Sequence, residues 1–165
     1  MSKPKLLWRA HEIVENPFQF SHPFDDQAEV CMFGLSRLAG LKRAGVSLSK
    51  VAPGKVSFPL HRHHGEEEWI YILSGNGELT LDDEVSPVGP GDFAAFPAGG
   101  PAHQLRNSSS EELVYLMGGE SMSVEVADFP EQNLRMARIG DPFNPEIAPL
   151  DSFKRMSFSG NSSED

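Results

Sequence analysis

Short apolar segments separated by turn residues are the feature that most limits how this chain can fold. Clusters such as Pro53-Gly54, Ser74–Gly77 and Gly89–Gly91 punctuate the sequence, and its 165 residues include 15 glycines and 13 prolines. The predicted strands are 35–43, 46–52, 69–73, 78–81, 93–96, 104–106, 113–117 and 122–127. Strands of this length at close spacing predict an all-β sandwich or barrel. No comparable window combines a period of 3.6 residues with helix caps.

Two segments of different character flank the strand-like part. Residues 1–34 contain Asn16-Pro17 and His22-Pro23, which interrupt regular structure, so they predict an irregular N-terminal arm. Residues 35–139 form the predicted barrel. Residues 140–165 form a C-terminal extension with a polar end, 159–165, for which we predict disorder.

Charge and cysteine content argue against several classes of function. The net charge is −10 and the basic residues are scattered, whereas nucleic-acid binding draws its affinity from clustered positive charge. No signal-like segment and no apolar run of about 18 residues is visible, so we expect no membrane span. The lone Cys31 cannot form an internal disulfide. These features predict a soluble protein in the reducing cytoplasm.

Histidine and acidic residues concentrate in one segment, because positions 61–68 read HRHHGEEE. Alternate residues of a strand face the same side, so His61 and His63 project together. His64 has the opposite parity and is predicted to be solvated. His103 is the only histidine farther along the chain. Three imidazoles and a carboxylate suit one divalent transition metal: iron, manganese, nickel, zinc or copper.

The same residues resemble the two sequence motifs of the cupin superfamily, in particular its single-domain barrel proteins. The first motif, two alternate histidines and a glutamate between glycines, is matched by Gly54, His61, His63, Glu68 and Gly75. The second, ordered glycine, proline, glycine, histidine and asparagine, is matched by Gly91, Pro97, Gly99, His103 and Asn107. The resemblance covers about residues 45–128. It implies a double-stranded β-helix (a jelly-roll barrel) with the metal at its open mouth, held by His61, His63, Glu68 and His103.

The acidic run leaves one ligand choice to be made. Glu67 is the rival of Glu68, but the spacing to Gly75 matches the first motif only for Glu68. Glu66 and Glu67 are interpreted as a plain acidic turn. The interval from Gly54 to His61 and the interval from Gly99 to His103 are each one residue longer than in the usual cupin motifs. Both extra residues fall in turns, so neither histidine should change face.

Strand parity also sorts the neighbours of the metal ligands. If Glu68 points inward, so do Ile70 and Ile72, and His103 and Leu105 follow the same rule. The opposite parity places three large side chains on an outer face: Trp69, Tyr71 and Leu73. We expect such an apolar patch to be buried, either by a second subunit in a homodimer or by the N-terminal arm. The remaining histidines, His11 and His22, are interpreted as ordinary surface or hydrogen-bonded residues.

Three functions agree with these features. The first is a metal-dependent enzyme, such as a dioxygenase, isomerase or decarboxylase, acting on a small organic acid or sugar at an open coordination position. The second is a non-catalytic module that binds or senses a small molecule through the metal. The third, a purely structural metal site, is disfavoured because such sites are usually rich in cysteine. The sequence does not choose a reaction or name a catalytic acid or base.

Overall fold

The computed structural model describes residues 5–141, 144–154 and 156–157. Strands of this described part are β1 Phe18–Ser21, β2 Glu29–Gly34, β3 Ala44–Val51, β4 Arg62–His63, β5 Glu68–Ser74, β6 Gly77–Leu81, β7 Glu84–Val88, β8 Phe93–Phe96, β9 His103–Arg106, β10 Leu113–Glu120, β11 Val124–Phe129, β12 Leu134–Ile139 and β13 Glu146–Pro149. The α-helices are α1 Ala10–Ile13 and α2 Leu35–Ala39, and short 3-10 helices occupy Pro130–Gln132 and Leu150–Ser152. None of the helices in these ranges has the length and apolarity to cross a membrane.

Three antiparallel sheets form the part of the chain that the structure describes. The largest has the strand order β1-β2-β3-β10-β5-β8, the second β13-β12-β11-β4 and the third β7-β6-β9. The all-β prediction is confirmed. Neighbours such as β3 and β10 are far apart in sequence, so the sheets depend on long-range pairing.

The core lies where the sheets face one another. Its buried side chains include Val51, Ile72, Leu113 and Tyr115, none more than 1% exposed. The parity prediction for β5 is confirmed, because Ile70 and Ile72 are buried while the alternate residues Tyr71 and Leu73 are exposed. In β9, His103 and Leu105 are likewise buried and Arg106 is exposed.

Two predictions for the first 43 residues are wrong. The predicted strand 35–43 begins as α2, which ends at Gly40 in the left-handed conformation, with φ of +72°. The arm is not irregular throughout, because β1 pairs with β2, and β2 pairs with β3. Pro17 and Pro23 lie just outside β1, so neither interrupts its pairing. Burial of Val30 and Phe33 holds β2 in the sheet.

The structure also contains strands that the sequence patterns did not predict. β7 includes Pro87, which reads against a strand, but β7 is the edge of its sheet and an edge strand tolerates proline. β12 and β13 continue the sheet of β11 into the C-terminal extension. The apolar Ile147, Phe153 and Met156 of that extension remain 54%, 50% and 76% exposed. The predicted disordered end, 159–165, lies outside the described residues.

The outer face of β5 and β8 is left exposed by the described part of the arm. Tyr71 pairs directly with Phe93, and these residues are 39% and 62% exposed with the described arm in place. Trp69 packs on Gly118, where a Cβ atom would meet the indole ring at 2.2 Å. The aromatic residues Phe20 and Phe24 of the arm line a cavity elsewhere.

We therefore predict a dimer at this outer face. Burying a large apolar side chain contributes roughly 1.5–3 kcal/mol before ordering costs, and symmetric pairing is the commonest way to bury such a patch. Light scattering should give twice the chain mass of 18.1 kDa. The Tyr71→Glu, Phe93→Glu double variant should be a monomer, whereas Val124→Glu, at another exposed apolar site, should remain dimeric. A monomer mass for the intact protein at micromolar concentration would contradict this prediction.

Candidate metal centre

Four side chains converge at one site in the fold. His61, His63, Glu68 and His103 each offer one ligand atom, and these four atoms lie within 4.8 Å of one another. The Glu68 carboxylate oxygen Oε2 is 3.0 Å from His103 Nε2, 3.3 Å from His63 Nε2 and 3.9 Å from His61 Nε2. The structure therefore brings together the four residues predicted as ligands.

The backbone positions these side chains in pairs. His61 and His103 face each other across an antiparallel bridge, in which each amide donates to the other carbonyl at 3.2 and 2.7 Å. His63 lies in β4, which pairs with β11 through Ala127. Glu68 opens β5 between its two neighbouring strands, β8 and β10. The side chains of His61 and His63 therefore lie on the same side of the chain, as the strand alternation predicted.

Contacts behind the imidazoles orient their Nε2 atoms inward. His61 Nδ1 is 2.8 Å from the Pro59 carbonyl, so this nitrogen carries the proton and Nε2 keeps its lone pair. His63 Nδ1 is 3.4 Å from a carboxylate oxygen of Glu125. The His103 ring is stacked on Phe96, with centroids 3.7 Å apart and planes 2° from parallel. The hydrogen bond to Pro59 fixes the tautomer of His61, and the contacts with Glu125 and Phe96 restrict the directions of the His63 and His103 rings.

Burial and charge set the protonation of the cluster. Burial, aided by the neighbouring His103, lowers the pKa of His61 to about 3, so His61 is neutral at pH 7. Burial raises the pKa of Glu68, but hydrogen bonds from His103 and His63 outweigh it and leave this pKa well below the usual range. For His63, burial opposes charge while Glu68 and Glu125 favour it, and the net effect raises its pKa.

This donor set fits a divalent transition ion. An ionised carboxylate and three imidazoles form a mixed oxygen and nitrogen site of the kind that zinc, iron, manganese, nickel and copper accept. Three imidazoles face the Glu68 carboxylate, whose side chain is 18% exposed.

A cavity of about 460 Å³ opens beside the cluster. Its wall includes His61, His63 and Glu68, together with aromatic residues from three parts of the chain: Phe20, His22, Phe24, Phe58 and Phe129. His22 is half-buried and hydrogen-bonded, which is one of the two interpretations given for it, and it also lines this cavity. The concentration of aromatic residues at positions 18–24 is the sequence signal for this wall, but it does not reveal which surface they cover.

The interpretation of Glu66 as part of a plain acidic turn is wrong. Glu66 is buried and lines the cavity. Its Oε1 accepts the Met122 N–H at 2.6 Å and is bound by the Arg138 guanidinium. Glu67 is exposed, as a turn residue would be, and lies outside the ligand cluster.

A second buried carboxylate holds the turn that follows His63. Glu125, which is 2% exposed, accepts the backbone N–H groups of His64, Gly65 and Glu66 at 3.0, 3.3 and 2.9 Å. The same side chain contacts His63 Nδ1. Glu125 therefore links the shape of this turn to the direction of the His63 imidazole.

His64 points away from the cluster, as its parity predicts, but it is not simply solvated. Its Nε2 is 2.8 Å from Asp128 Oδ2, and Arg135 forms two hydrogen bonds to the same carboxylate. The His64 side chain keeps 39% of its surface exposed. It belongs to a hydrogen-bonded group with Asp128 and Arg135 that lies outside the candidate metal centre.

Comparison with known proteins identifies the fold family of this chain. The sequence profile of the Cupin domain matches residues 47–119. A crystal structure of a candidate sugar phosphate isomerase from Acidithiobacillus ferrooxidans has a TM-score of 0.88 and is 33% identical, over 93% of this chain and 98% of that one. The chain belongs to the cupin superfamily. The cupin-barrel prediction is thereby confirmed.

Similarity to curated cupins is local. Quercetin 2,3-dioxygenase of Bacillus subtilis is 39% identical over 64 residues, which is 38% of this chain and 19% of that protein. The oxalate-binding protein of Thermotoga maritima is 36% identical over 67 residues, or 41% of this chain and 54% of that protein. The matched part spans about one fifth of the dioxygenase and just over half of the oxalate-binding protein, and these two relatives are named for different activities.

Proposed function

We propose that this cupin binds one divalent transition metal through His61, His63, Glu68 and His103 and acts on a small organic acid or sugar beside it. The observation that carries the proposal is the convergence of four ligand atoms within 4.8 Å at the wall of a cavity of about 460 Å³. Cavities of roughly 300–1,000 Å³ are typical of small-molecule sites.

The ion and the surrounding side chains have different roles in this proposal. A divalent ion would supply Lewis-acid or redox chemistry at coordination positions left open by the four ligands. Glu68 contributes the negative charge, while Pro59, Glu125 and Phe96 keep the three imidazoles directed inward. The aromatic wall displaces water from the ligand and strengthens electrostatic interactions at the site.

Metal analysis followed by turnover tests this function. Protein purified without chelators should contain close to one transition metal per chain, and it should convert a member of a library of small acids and sugars, with or without dioxygen uptake. Iron with oxygen uptake would identify a dioxygenase. Absence of stoichiometric metal under any loading condition would contradict the proposal.

A non-catalytic binding module is the second candidate. The observation in its favour is that Glu66, a carboxylate of the cavity wall that could act as acid or base, is held by Arg138 and the Met122 amide. The oxalate-binding relative is a cupin named for binding. Tight saturable binding of a small acid without any product would favour this candidate.

Metal retention should depend on pH in a definite direction. Metal binding requires neutral imidazoles, and the pKa of His63 in the metal-free site is raised above its ordinary 6.5. Protons therefore compete increasingly as pH falls, so affinity decreases with acidification. We expect release between roughly pH 6 and pH 4, measured as metal lost on dialysis. Unchanged retention at about pH 3 would contradict a histidine-rich site.

A further inference from the structure

The wall of the cavity is built mainly from aromatic rings. The centroids of Phe20 and Phe58 are 5.8 Å apart, and those of Phe24 and Phe129 are 5.2 Å apart. Phe129 also lies against His61, at 5.9 Å with an interplanar angle of 22°. These separations are typical of aromatic packing, and such walls favour a flat apolar ligand. The hydroxyl groups of a sugar would lose water there and find few partners.

The charges at the cavity can balance a monoanion but not a dianion. Among the described residues of its wall, Arg138 is the only lysine or arginine, and its guanidinium already binds Glu66. Glu68 removes one of the two positive charges that a divalent ion would bring. One positive charge remains, because the Glu125 carboxylate behind His63 is already stabilised by three backbone N–H groups. A phosphate monoester carries about −1.5 to −2 charges at pH 7 and would need a free cation.

His22 adds a polar group to the wall without adding charge. Its Nδ1 accepts the Phe24 N–H at 3.3 Å, which leaves the ring proton on Nε2. Burial lowers the pKa of His22, so the imidazole is neutral at pH 7. It can donate one hydrogen bond to a ligand oxygen.

From these features we infer that the cavity takes a small aromatic molecule with a single anionic oxygen, of the arenecarboxylate class, in preference to a sugar phosphate. The anionic oxygen would occupy an open position on the ion, and the ring would lie among the phenylalanines. The inference rests on the proposed metal site and narrows its ligand class.

Calorimetric titration of the zinc-loaded protein with three probes tests this inference. Benzoate carries the ring and the charge, acetate carries the charge alone, and ribose 5-phosphate represents the sugar phosphates. We expect benzoate to bind at least about tenfold more tightly than either of the others. Benzoate no tighter than acetate, or weaker than ribose 5-phosphate, would overturn the inference.

Variants of the wall separate the contribution of the ring from that of the charge. Phe24→Ala should weaken benzoate about tenfold and leave acetate unchanged, with Phe153→Ala, at an exposed position outside the cavity, as matched control. Glu66→Gln keeps an oxygen acceptor but frees the charge of Arg138, so it should strengthen ribose 5-phosphate binding severalfold. Equal effects of Phe24→Ala and Phe153→Ala on benzoate, or no gain in Glu66→Gln, would count against the inference.

Zinc stoichiometry, measured first, distinguishes failure of the proposed metal site from failure of the inferred ligand class. A protein that takes up no zinc would overturn both the metal site and the ligand class. A zinc-loaded protein that prefers ribose 5-phosphate would overturn the ligand class alone.

Discussion

Replacing His61 and His103 together by alanine should abolish stoichiometric metal binding. These two histidines face each other across the β-bridge and supply two of the four converging donors. Loss of an outer contact to a ligand typically costs 10–100-fold in metal affinity, so loss of a ligand should cost more than about 100-fold. His61→Ala, His63→Ala and His103→Ala should each leave well below one metal per chain. Glu68→Ala should weaken binding.

The matched control is His64→Ala, which removes a neighbouring histidine that points to Asp128 instead of the cluster. Its metal content should stay close to that of the unmodified protein. Metal per chain after dialysis is the primary measurement. The rise in melting temperature on adding zinc is an independent one, because a ligand that binds only the folded state stabilises it. Full metal occupancy in the His61→Ala, His103→Ala double variant would contradict the assignment of these residues as ligands.

Asn107→Ala should cause a large loss of stability. This side chain is 0% exposed, and its Nδ2 donates to the carbonyls of Val51 and Glu111 at 2.8 and 2.7 Å. Its Oδ1 accepts the N–H and the hydroxyl of Ser109 at 3.0 and 2.9 Å. Each buried group left without a partner costs about 1–3 kcal/mol. We expect the free energy of unfolding to fall by about 3 kcal/mol or more.

Two further variants make this result specific. Asn107→Asp keeps the size but replaces the donor by an oxygen that faces two carbonyls, so it should be at least as destabilising as alanine. Asn16→Ala removes one exposed hydrogen bond, to the Glu12 carbonyl, and should change stability by no more than about 0.5 kcal/mol. Denaturant unfolding measures all three. Similar values for Asn107→Ala and Asn16→Ala would mean that the buried amide contributes little.

Local sequence patterns were sufficient to predict the candidate metal centre. The strand period of two residues is a local property, so it placed His61 and His63 on one side, His64 on the other, and Ile70 and Ile72 in the core without knowledge of the fold. Motif spacing selected Glu68 over Glu67 and joined His103 to the set. The resemblance carried by those motifs also predicted the barrel.

Only the tertiary structure decided what surrounds that centre. Glu66 meets Arg138 across 72 residues, and Glu125 reaches the turn after His63 across about 60. No local pattern encodes such pairs, so Glu66 was taken for a plain turn residue. The arm was taken as irregular because its prolines interrupt local structure, whereas pairing of β2 with β3 supplies the missing stability. That pairing holds β1 in place, and the segment that follows β1 brings His22 and Phe24 to the cavity wall. Long-range strand pairing therefore determined the ligand cavity.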